Sequence, residues 1–144
     1  MTEPPNGERK VGLLGIDDGR RCFPTLQNIA QTLGREIIQR RVELVSLAGE
    51  EDIKLYNAAI YGASEDGDSE VSRVYDHPVE GLYAIIVIGR YDNPLHFIQA
   101  FHAQIQVIAI NPSRDDLAFY LKPVRRARTV DEAVIIALGE IEEN

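Results

Sequence analysis

Apolar residues fall along this chain in two alternating kinds of block. One kind is nearly continuous: Lys10–Ile16 (KVGLLGI), Val42–Leu47 (VELVSL), Leu82–Gly89 (LYAIIVIG) and Ile105–Ile110 (IQVIAI). Such runs read as strands of a parallel sheet covered by helices on both faces, with Leu82–Gly89 as the central strand. The other kind repeats every three or four residues, which is the spacing of a helix with one buried face. It runs through Leu26, Ile29, Ala30, Leu33, Ile37 and Ile38 within Thr25–Arg40, and through Leu55, Tyr56, Ala59, Ile60 and Ala63 within Glu50–Ala63. Shorter helices are expected over Leu95–Ala103 and Asp131–Glu143, and a helical turn at Asp115–Leu121.

Local chemistry sharpens these boundaries. Pro24 and Pro94 suit first helical turns, and Asp92 or Asn93 can cap the helix that begins at Leu95. Glu50, Glu51 and Asp52, like Asp131 and Glu132, sit where the positive end of a helix dipole favours acids. Gly34 interrupts a helix at a cost of about 1 kcal/mol in propensity, which marks a close helix–sheet approach. Glu70–Tyr75 reads either as a short edge strand or as loop, and Arg125–Val130 as a basic edge segment. The alternation predicts an α/β fold: a three-layer, Rossmann-like sandwich around a mostly parallel sheet. Residues 1–9 are expected to be a flexible lead-in and 10–144 a single domain.

Composition narrows the partners more than the chemistry. Of 144 residues, 44% are hydrophobic, and the formal charge is −8. That charge argues against a nucleic-acid backbone or an anionic membrane as partner, while leaving room for a small anion held by a local arginine. The single cysteine, Cys22, cannot form an internal disulfide. No apolar run reaches the length of about 20 residues needed to span a bilayer. The expectation is a cytoplasmic protein, with no resident cofactor or metal.

In parallel sheets ligands bind beyond the carboxyl ends of the strands. There the candidate ligand-binding residues are Gly89, Arg90 and Asn93 after the central strand, and Asp17, Asp18, Arg20 and Arg21 after the first. Arg90 can serve as a fork donor to an anion at the head of the following helix; the alternative is an ordinary loop whose aspartate caps that helix. Asp17 and Asp18 can either ligate Mg²⁺ or pair with the adjacent arginines as a solvated turn, and Arg20 or Arg21 can reach a phosphate. Asp92 and His96 are the candidate acid–base groups. His96 and His102 stand six apart, not the three or four that places ligands on one helix face. Gly12–Gly15 is a bare G-x-x-G, and Ser46, Ser64 and Ser113 occur in no nucleophile motif. Lys122, Arg125, Arg126 and Arg128 form a basic cluster that can meet an acidic partner or phosphate, or simply charge a sheet edge against pairing. Tyr56, Tyr61, Phe97 and Phe101 give two helices more apolar surface than a small sheet needs, and a homodimer is expected.

The order of these blocks, with KVGLLG at the front, TLGREIIQRRVELVSL, NAAIYGASEDGDSEV, LYAIIVIGRYDNPLHFIQAFHAQIQVIAI and TVDEAVIIAL, resembles the Lonely Guy (LOG) family across most of the chain. That family includes cytokinin-activating phosphoribohydrolases once described as lysine decarboxylases. The resemblance implies a Rossmann-like fold and a nucleotide pocket. It departs at the family's Pro-Gly-Gly-x-Gly-Thr-x-x-Glu motif. Laid on Ile88–His96, Gly89 remains, Arg90 and Asp92 stand at glycine positions, Asn93 at the threonine and His96 at the glutamate. The family's Arg-Lys pair has no counterpart in His77–Gly81 (HPVEG). Asp17-Asp18 and Lys122-Pro123 also resemble response-regulator receiver domains, but Leu47–Leu82 is too long and Ile110–Lys122 too short for that fold. The expected function is a degenerate LOG-like domain that binds a nucleotide or phosphorylated small molecule without phosphoribohydrolase activity. The alternatives are an active nucleotide hydrolase or transferase, and a purely structural oligomer.

Overall fold

Each predicted apolar run forms a strand, trimmed to the residues that pair. In the computed structural model, which describes residues 9–15, 26–47, 54–65, 74–89, 95–110 and 124–139, β1 spans Lys10–Leu14, β2 Glu43–Ser46, β3 Ala84–Ile88, β4 Val107–Ile110 and β5 Arg125–Ala127. They lie in the order β2-β1-β3-β4-β5, and every neighbouring pair is parallel. All five residues of the central β3 are buried, as a strand covered on both faces must be.

Side-chain alternation divides the interior into two cores. On one face, Val11, Leu13, Ile86, Ile88 and Ile108 pack under α1 (Leu26–Gln39), α2 (Lys54–Glu65) and α4 (Val130–Leu138). On the other, Leu14, Val45, Ile85, Val87 and Ala109 pack with Phe97 and Ala100 of α3 (Leu95–Ala103). The result is the three-layer, Rossmann-like α/β fold expected from the pattern.

The chain leaves β1 toward β2 on one side and later reaches β4 and β5 on the other. Strand order therefore reverses between β1 and β3. Beyond β2, Val74–His77 runs alongside the edge of the five-stranded sheet and bonds to Ser46. The Ser46 N–H donates to the Val74 carbonyl at 2.8 Å, and the His77 N–H donates to the Ser46 carbonyl at 3.0 Å. One residue bonding to two residues on the neighbouring segment is the parallel pattern. The two lie three apart instead of two, so one residue is extra, and Asp76 absorbs it at a φ of 53°. Tyr56 anchors this segment: its hydroxyl donates to the Leu44 carbonyl at 3.0 Å and accepts from the Val74 N–H at 2.9 Å. Residues 78–83 then return to β3 across the α3 face, with Val79 and Leu82 in the second core.

Three details differ from the sequence reading. Gly34 marks a helix–helix approach, not a helix–sheet one: a β-carbon there would collide with the Ala59 carbonyl of α2, and one on Gly62 with the Gln31 carbonyl of α1. The last helix ends at Leu138 instead of running to Glu143, because Gly139 takes a left-handed conformation (φ 71°) that closes it. Its start is fixed by Thr129, which accepts from the Glu132 N–H at 3.1 Å while the Glu132 carboxylate accepts from the Arg128 N–H at 2.8 Å. Finally, Tyr56 and Phe97 are core residues, whereas Tyr61 and Phe101 are exposed on opposite layers, so the four do not combine into one surface. Glu50–Asp52, Asp115–Leu121 and most of Glu70–Tyr75 lie outside the described residues.

Candidate functional site

Strand order reverses between β1 and β3, the point at which open α/β sheets in general hold ligands in a crevice at the carboxyl ends of the strands. Two glycines stand at this edge. Gly15 follows β1, and a β-carbon on it would overlap the Ile88 carbonyl oxygen and come within 3.0 Å of Leu55 Cδ1. Gly89 follows β3, is buried, and holds a φ of 74°, a conformation natural to glycine. A side chain at Gly15 would separate the two chain ends, and one at Gly89 would be strained by its positive φ. The absence of one at Gly15 lets the backbone after β1 run against the end of β3. That is the kind of approach a phosphate-binding turn requires.

Of the candidate ligand-binding and acid–base residues, Gly89 and His96 are described, and both lie at this edge. Asp17, Asp18, Arg20, Arg21, Arg90, Asp92 and Asn93, together with Cys22, Ser113 and Lys122, lie outside the described residues. His96 occupies the first turn of α3 and is half-buried. Burial pushes its imidazole below the ordinary histidine value, while the carboxylate of Asp76 pulls it partly back. The neutral ring is therefore the favoured form near pH 7, able to accept a proton. Asp76 was not legible as a site residue. It belongs to the extra-residue turn beside β2, and only the folding of that segment against the sheet edge brings its charge to bear on α3.

Other candidates resolve into structural roles. The Ser64 hydroxyl donates to the Ile60 carbonyl of its own helix at 3.0 Å, and Ser46 is buried beside the Val74–His77 segment. His102 is exposed, and the His77 Nδ1 lies 2.7 Å from the Pro78 carbonyl. Arg125 and Arg126 are exposed on β5, the outermost strand beyond β4 among the described residues. That placement agrees with a charged edge. Among the described residues, no group of three or more His, Cys, Asp or Glu side chains is arranged to hold a metal ion, and no helix is long and apolar enough to cross a membrane.

No protein-family model and no curated protein sequence matches the chain. Solved structures do. The molybdenum cofactor carrier protein of Chlamydomonas reinhardtii superposes with a TM-score of 0.67 at 16% identity, covering 91% of this chain and 97% of its own. A structural-genomics target, TM1055, superposes with a TM-score of 0.59 at 18% identity, covering 92% of this chain and 99% of its own. At these identities the likeness is one of fold: the chain shares, over nearly its whole length, the Rossmann-like architecture of a carrier protein and of TM1055.

Proposed function

We propose that this protein binds a nucleotide or a phosphorylated small molecule at the carboxyl edge of β1 and β3, as a cytoplasmic homodimer, and does not hydrolyse it by the LOG route. The observation that carries the reading is the paired glycine rim, Gly15 against the Ile88 carbonyl and Gly89 at positive φ, at the point where strand order reverses. Arg90 and Asn93, following Gly89, and Asp17, Asp18, Arg20 and Arg21, following β1, supply the donors and acceptors of the site. A molybdenum cofactor carrier built on the same fold supports binding as the task of the scaffold. Replacement of the family's glycines by Arg90 and Asp92 and of its glutamate by His96 removes the residues that LOG-type ribosyl hydrolysis uses.

The test is a thermal-shift screen against nucleoside monophosphates, nucleotides, phosphoribosyl compounds and inorganic phosphate. A ligand at 100 times its Kd stabilises by about 2.7 kcal/mol, and the shift is expected to disappear in Arg90→Ala. A screen with no shift, or a shift that survives the substitution, rejects the site. Sedimentation of the same sample decides the dimer.

One observation favours a second reading. Burial lowers the His96 pKa at the head of α3, which favours an imidazole at the family's glutamate position as general base of an active nucleotide hydrolase or transferase, with Asp92 as the alternative acid–base group. Release of free base from a nucleoside monophosphate, abolished in His96→Gln, would establish turnover.

A further inference from the structure

We draw no further inference here: the strongest candidate, the apolar groove of about 250 Å³ between α3 and the starts of β4 and β5, lined by Phe97, Phe101, Ile105, Val107 and Val124, carries nothing because nothing in the structure shows what covers it.

Discussion

Gly34 of α1 lies directly against the carbonyl of Ala59 in α2, with no room for a β-carbon between them. Gly62 repeats the relationship from the other helix, against Gln31. The two glycines thus set the spacing of the helix layer that covers β1 and β2. In an ordinary helix interior, alanine is favoured over glycine by about 1 kcal/mol. Here the sign reverses. Gly34→Ala and Gly62→Ala are each expected to destabilise the fold by about 1–3 kcal/mol net, the range for forcing extra carbon into a packed interior. Urea unfolding reads the effect, and a stabilised variant would show that the helices can separate without loss.

Tyr56 ties three elements together through one hydroxyl. It donates to Leu44 of β2, accepts from the N–H of Val74, and sets its ring edge-on to Tyr75 with centroids 5.6 Å apart. Tyr56→Phe keeps the ring and strands a buried carbonyl. The expected cost is about 1–3 kcal/mol. Hydrogen exchange distinguishes this from a general loss of packing: the Val74 amide should lose protection more than the amides of β3.

How much of this could be read from the chain depends on range. The strands and helices were legible because their cues are local: the continuous AIIVI of β3 and the three-to-four spacing of α1 are visible within a dozen residues. Gly34 was legible as a close approach but not as to its partner, since Ala59 lies a strand and a loop away. The ending of α4 at Gly139 needed its left-handed conformation. The position of Gly89 and His96 after β3 was legible because chain order alone puts them there. Asp76 was missed: its influence on His96 exists only once the chain after α2 has folded alongside β2 with one residue to spare.

Gly15 offers a separation of stability from binding. A β-carbon there meets the Ile88 carbonyl and Leu55, so Gly15→Ala is expected to cost about 1–3 kcal/mol and, on the proposed binding, to abolish the nucleotide-induced thermal shift, because the backbone at Gly15 is pushed off β3. Gly139→Ala is the control. It has a positive φ but open space around it, and should cost about 1 kcal/mol for the left-handed conformation alone while leaving the ligand shift intact. Loss of the shift in both would place the effect in global stability instead of at the crevice.

His96 carries the pH dependence that the described residues predict. Burial lowers its folded pKa below the unfolded value of about 6.5, with Asp76 opposing the shift. A depressed folded pKa means that the unfolded chain binds the proton first. The contribution of the neutral ring to stability is therefore complete above about pH 6.5 and is lost as pH falls from there through the lower folded value. Titration of the His96 ring by NMR should give a midpoint below the unfolded value of about 6.5. Asp76→Asn, by removing the attraction that holds the pKa up, should move the midpoint lower still and steepen the loss of stability between neutral and acid pH. His96→Gln should flatten that part of the profile. A His96 midpoint at or above the unfolded value, or one that rises in Asp76→Asn, would mean that the carboxylate and the imidazole are not facing each other at the head of α3, and would remove His96 from consideration as a neutral proton acceptor in the crevice.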